Sequence, residues 1–167
     1  MPAEQELAFT DQIGRFFARQ YGLPPVTGRV FGWLLICDPP EQTAGEIAEA
    51  LQTSRSAVGN AISALESQGL ILRTRTAGER ADRVSFHPDA DVQGLESPGE
   101  YEALLALTRL GLKALEGAPA ARRARLLGAA AFYEFLIERM PALAAEWRAQ
   151  RDALRASGEI PNPDKES

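Results

Sequence analysis

Between Glu46 and Arg73 the chain reads EIAEALQTSRSAVGNAISALESQGLILR, and two helical stripes are legible in that stretch. Ile47, Ala48 and Leu51 recur at helical spacing, and so do Val58, Ala61, Ile62 and Leu65. Just upstream, Thr43-Ala-Gly-Glu46 is a Thr-x-x-Glu capping box, in which hydroxyl and carboxylate satisfy each other's orphan N–H groups. It opens a short helix over roughly 44–51. The tight polar turn Gln52-Thr53 follows, and Ser54 is a good N-cap for a second helix that Gly69 ends. The free side of that second helix carries Ser54, Arg55, Ser56, Gly59, Asn60 and Ser63, which are small or polar.

Downstream, the period switches from helical to two. Ile71, Arg73 and Arg75 alternate with Leu72, Thr74 and Thr76, and Arg83-Val-Ser-Phe-His87 alternates with Val84 and Phe86 inward. Ala77-Gly-Glu-Arg-Ala-Asp82 is the polar turn between them, so the pair predicts a β-hairpin with an arginine at its tip. Helix, tight turn, helix, hairpin is the pattern of a winged helix-turn-helix. Small polar residues suit a helix whose backbone approaches base edges in a ~12 Å major groove. Arginine at a hairpin tip suits the flanking minor groove or phosphates.

Outward from this centre the chain is helical. Residues 4–21 place Phe9, Ile13, Phe16, Phe17 and Tyr21 on one stripe, and Gly22 stops that helix. Pro24-Pro25 starts another, with Val26, Val30, Trp33, Leu34 and Cys37 as its buried face. Residues 88–96 read as an acidic loop. Ser97-Pro98-x-Glu100 is a second capping signature for a leucine-rich helix ended by Gly117 and Pro119. From Ala120 to Met140 the seam is Leu126, Ala130, Tyr133, Ile137 and Met140. Pro141 is expected to kink or restart the helix, and Leu143, Trp147 and Leu154 continue its stripe. The fold class expected is mainly α with a small β-hairpin wing. Residues 1–156 form a single regulator-sized domain, followed by a flexible tail over 157–167.

Composition narrows the function classes. The chain has 167 residues, 45% of them apolar, and a net charge of −5. Within residues 54–83, however, Arg55, Arg73, Arg75, Arg80 and Arg83 outnumber Glu66, Glu79 and Asp82, so a basic island sits in an acidic molecule. Cys37 is the only cysteine and His87 the only histidine. A disulfide, a Cys-based zinc cluster and a His-rich metal site are thereby excluded, and neither a cofactor nor a metal is expected. No phosphate-binding loop, zinc-protease motif or nucleophile motif is present, so an enzyme is not expected. The longest run without a polar side chain is Val30 to Cys37, far short of the ~20 residues that span a bilayer. No signal peptide is visible, and a cytoplasmic location is expected. Cys37 ends an apolar run with no basic neighbour, which reads as a buried, inert thiol.

The stretch from Glu46 to Arg73 closely resembles the DNA-binding region of MarR-type transcriptional regulators. Residues 22–35, GLPPVTGRVFGWLL, look like the second-helix signature of the GbsR branch of that family, and Gly78-Glu-Arg80 looks like its wing. The resemblance implies a homodimer on a pseudo-palindromic double-stranded DNA operator. Residues 23–88 would be the DNA-binding lobe, and 1–22 and 97–156 the dimerisation helices. Ser54, Arg55 and Ser56 match the start of the recognition helix, Asn60 and Ser63 its groove-facing positions, and Arg80 the wing arginine. Thr43, Arg75 and Arg83 complete the DNA-binding set. Gly59 stands where the family often has a polar residue; glycine inside a helix costs ~1 kcal/mol relative to alanine, so either DNA comes very close there or a contact has been lost. A small-molecule effector would be held by aromatics, with Phe17, Tyr21, Trp33 and Tyr133 as its candidate contacts. The alternative to DNA binding is a winged helix that recognises protein instead.

Overall fold

The computed structural model describes residues 1–75, 77–78, 80–96 and 98–161. Thr76 of the hairpin, Glu79 of the wing, the Ser97 cap and most of the expected tail lie outside the described residues. The chain forms two compact units, Met1–Ala90 and Asp91–Ser167.

The first unit begins with α1 (Glu4–Tyr21) and α2 (Pro25–Ile36). Gly22 closes α1 in the left-handed conformation at φ 65°, and Pro25 occupies the first turn of α2. The two helices approach closely because each turns glycine to the other: Gly14 of α1 and Gly28 and Gly32 of α2 are all buried. This contact selects the face of α1. Thr10, Gly14 and Phe17 are its buried residues, whereas Phe9, Phe16 and Tyr21 of the expected apolar stripe are exposed. On α2, Val30, Trp33 and Leu34 are buried as the pattern in the sequence implies. Val26 and Cys37, expected on the same face, are only partly buried, Cys37 because it lies past the end of the helix at its C-cap.

Next come β1 (Gln42–Thr43), α3 (Ala44–Ala50), α4 (Arg55–Ser67), β2 (Ile71–Thr74) and β3 (Arg83–Phe86). The core of the unit joins α2, α3, α4 and the sheet through Val30, Ile47, Leu51, Val58, Ile62, Leu65, Ile71 and Val84. The hairpin is antiparallel, with Ile71 opposite Phe86 and Arg73 opposite Val84. Beyond the expected pair, β1 adds a third strand on the free edge of β3, with Gln42 opposite Val84. A two-residue strand has no periodicity to read. It is fixed by tertiary contact instead, the Gln42 Oε1 accepting the Trp33 indole N–H at 2.8 Å.

The second unit contains most of α5 (Ala90–Glu96), then α6 (Gly99–Ala114) and α7 (Ala120–Ser157). The acidic stretch read as a loop is therefore largely helical. Seven residues are too few to stabilise a helix alone, and side chains of α7 secure this one. Asp91 accepts hydrogen bonds from the Trp147 indole and from Arg151 Nη1 at 3.0 Å, and Glu96 pairs with Arg148. Pro98 stands at the N-cap of α6, one position earlier than the sequence pattern places it.

Helix α7 runs through Pro141 unbroken for 38 residues, about 57 Å at 1.5 Å per residue. A proline there removes one N–H, and Pro141 is exposed, so water can satisfy the freed carbonyl. Its seam is set by Ala130, Ala144 and Arg151, all buried, at sums of three- and four-residue steps; Leu143 falls off it and is exposed. Among the described residues no helix is long and apolar enough to cross a membrane.

Candidate nucleic-acid interface

Helix α4 is held by its own cap and by one apolar face. Ser54 Oγ accepts the Ala57 N–H at 3.1 Å, and Val58, Ala61, Ile62 and Leu65 are buried beneath it. Arg55, Ser56, Asn60 and Ser63 are consequently left on the exposed side. Ser63 donates back to the Gly59 carbonyl at 3.1 Å. Among the described residues, no ion pair engages Arg55, whose guanidinium lies across Gly45 at the start of α3.

The turn between the helices is tight because Gln52 adopts φ 51°, the left-handed region. Arg29 supports it from α2. Its Nη2 donates to the Leu51 carbonyl at 2.9 Å, while Nε lies 2.7 Å from Asp11 Oδ1 of α1, an ion pair outside hydrogen-bond angles. This bracing spans 22 residues and left no local signal in the sequence.

Thr43 is engaged in the capping box. Its hydroxyl accepts the Glu46 N–H at 3.2 Å and donates to Glu46 Oε2 at 2.9 Å, and its own N–H reaches the same oxygen at 2.7 Å. The backbone and hydroxyl of Thr43, aided by the charge of Arg83, hold the Glu46 carboxyl below its ordinary pKa.

The wing arginines have different settings. Arg73 donates through Nε and Nη2 to Glu66 Oε2, at 3.2 and 3.0 Å. Arg75 lies 3.8 Å from Asp82 and is largely exposed. Arg83 donates to the Glu41 carbonyl at 3.4 Å, at the base of the wing. Arg80 is exposed at the tip, and no ion pair engages it among the described residues. A hollow of about 440 Å³ separates α4 from the wing, lined by Thr43, Gly45, Arg55, Gly59, Arg73 and Asp82 among others. Of these, Gly45, Gly59, Arg73 and Asp82 stand outside the DNA-binding set read from sequence, although Gly59 is marked there by its place inside a helix and Arg73 by the basic island.

The four aromatics expected around an effector have three settings. Phe17 and Tyr21 line a mostly apolar hollow of about 450 Å³ with Phe16, Phe31 and Leu70. Trp33 borders a different, acidic hollow with Glu46 and Glu49. Tyr133 belongs to the second unit, its ring centroid 6.3 Å from that of Tyr101. Burial pushes the Cys37 thiol up, so it is protonated at neutral pH. Among the described residues no group of acidic, histidine or cysteine side chains could hold a metal ion.

Comparison with known proteins identifies this arrangement. Residues 21–81 match the MarR family model, and residues 95–150 match the model for MmpR5-like MarR family transcriptional regulators. The chain is 35% identical over 133 residues to the HTH-type transcriptional regulator MmpR5 of Mycobacterium tuberculosis, an alignment covering 75% of this chain and 77% of that one. A crystal structure of a transcriptional regulator superposes with a TM-score of 0.79 at 28% identity, covering 87% of this chain and 99% of the other. With capped helices, tight turn and wing in register, and a relative this similar over most of its length, the chain belongs to the MarR family of transcriptional regulators.

Proposed function

We propose that this protein is a homodimeric, sequence-specific regulator that reads operator DNA with α4 and steadies itself with the wing. The carrying observation is the exposed face of α4. Arg55, Ser56, Asn60 and Ser63 stand clear of the core while the opposite face is buried, and Arg80 extends from the wing with no ion pair among the described residues. In this reading Asn60 and Ser63 meet base edges, Ser56 and Arg55 the groove wall, and Arg75 and Arg80 the phosphates. Ser54 and Thr43 act through their caps, their backbone N–H groups and hydroxyls framing the helix starts, and Arg83 acts from the base of the wing.

Exposed apolar residues of the second unit support the dimer. Leu107, Leu110, Leu127, Phe132 and Phe135 are each about half exposed or more, a surface that a second copy would cover. Two copies would place their recognition helices on half-sites ~34 Å apart. The stretch 22–35 supports membership of the GbsR-like branch, and the DNA-binding reading supports a cytoplasmic location. A small apolar effector is supported by the hollow at Phe17 and Tyr21, and it would act by favouring one dimer geometry over another.

Retention of genomic fragments at moderate salt, followed by sequencing, tests the reading. A narrow set of pseudo-palindromic sites is expected, bound by a dimer in light scattering. Uniform weak retention of all fragments, or none, would instead favour a winged helix that recognises protein.

A further inference from the structure

Gly59 lies in the interior of α4, where glycine is disfavoured against alanine. Among the described residues no packing contact accounts for it. Its φ is not positive, and a Cβ built on it meets no heavy atom within 4 Å. Gly14 and Gly28 show the contrast, since a Cβ on either would collide with the neighbouring helix. Gly128 in the interior of α7 has equally free space around it, so that alone does not single out Gly59; its position beside the wing does.

The surroundings indicate what comes there. Arg55, Gly59, Ile62 and Glu66 form one stripe of α4, separate from the groove-facing Ser56, Asn60 and Ser63. That stripe faces the wing, as the Glu66–Arg73 pair shows. Gly59 and the two arginines open on the hollow of about 440 Å³ between helix and wing. A helix in a major groove and a wing beside the adjoining minor groove have one strand of the duplex running between them. That strand presents sugar and phosphate, which Arg55 on one side and Arg73, itself paired with Glu66, on the other can meet, with Asp82 also in the lining.

We propose that the hollow between α4 and the wing seats the sugar–phosphate strand of operator DNA. Gly59 lets it reach the helix backbone, and Arg55 and Arg73 flank it. The inference rests on the DNA-binding reading and adds to it a specificity-independent contact at a residue without a side chain.

Gly59→Ala tests it, with Gly59→Leu as a graded second variant. In the free protein the alanine variant is expected to melt higher by roughly 2–4 °C, because helix propensity improves and no clash arises. Its affinity for a fragment retained by the wild type is expected to fall roughly tenfold, and the leucine variant's further, as overpacking of a close contact does. The ratio of affinities among operator variants stays unchanged, because a strand contact carries no base information. Higher melting with undiminished affinity in both variants would overturn the proposal, as would lower melting of the alanine variant, which would make the glycine a packing requirement. A loss that depends on one base pair would place a base edge, not the strand, at Gly59. Wild-type protein that retains no fragment at all would instead defeat the DNA-binding reading on which the proposal stands.

Discussion

Gly28 on α2 faces Gly14 on α1 so closely that a Cβ added to Gly28 would lie 2.8 Å from the Gly14 Cα and 2.6 Å from the Ile13 carbonyl oxygen. Both obstacles are backbone, so neither can rotate away. Gly28→Ala must separate the helices or shift one along the other, and overpacking of this kind costs roughly 1–3 kcal/mol. Urea denaturation should show a lower midpoint for Gly28→Ala. A midpoint equal to the wild type's would mean that the helices separate at little cost.

Gln52 stands in the left-handed region at φ 51°, between α3 and α4. For a residue with a Cβ this backbone costs ~1–2 kcal/mol, and branching at Cβ raises the cost. Gln52→Gly relieves the strain but gives the unfolded chain more freedom, so its net effect should lie within about 1 kcal/mol of zero. Gln52→Val should be clearly less stable than either. Thermal melts of the three proteins decide the matter, and equal melting of the valine and glycine variants would mean that the turn rearranges.

How much of this was legible in the sequence depended on whether the determining contact was local. The capping box at Thr43 and Glu46, the Ser54 cap, the glycine stop at Gly22 and the burial of Val84 are short-range, and each appears in the structure as the pattern implied, whereas Phe86, expected inward with Val84, is only partly buried. What escaped was decided at a distance. Strand β1 needs β3 and Trp33, helix α5 needs Trp147 and Arg151, and α7 continues past Pro141 despite a local signal to break. The exposed face of α4 was legible because its buried face was. The hollow beside Gly59 was not, because it exists only once the wing is folded against the helix.

The capping box makes α3 sensitive to acid. Hydrogen bonds from the Thr43 backbone and hydroxyl, with help from Arg83, lower the Glu46 pKa in the folded protein. A carboxylate depressed on folding contributes stability that is present above its ordinary pKa and is lost as pH falls through the lower, folded value. Stability should therefore decline below the ordinary carboxylate range, and Glu46→Gln should flatten that part of the curve. Thr43→Ala should cost about 1 kcal/mol at neutral pH. Denaturation midpoints measured across the acid range check both, and an unchanged slope in Glu46→Gln would show that other carboxylates govern it.

Arg80 and Asn60 are expected to fail in different ways. Arg80 is exposed on the wing with no ion pair among the described residues, so Arg80→Ala should weaken binding about equally across operator variants. It should also lower the slope of log affinity against log salt by about one, because one phosphate contact releases about one counterion. Asn60 sits on the exposed face of α4, and its amide can both donate to and accept from a base edge. Asn60→Ala should cost ~1–3 kcal/mol at one position of the site and relax the preference there, leaving the salt slope near the wild type's. Titrations of each variant against a panel of operator substitutions at several salt concentrations separate the two. If Arg80→Ala left the slope unchanged, the wing would not touch phosphate through that residue. If Asn60→Ala weakened every operator alike, Asn60 would position the helix without reading sequence.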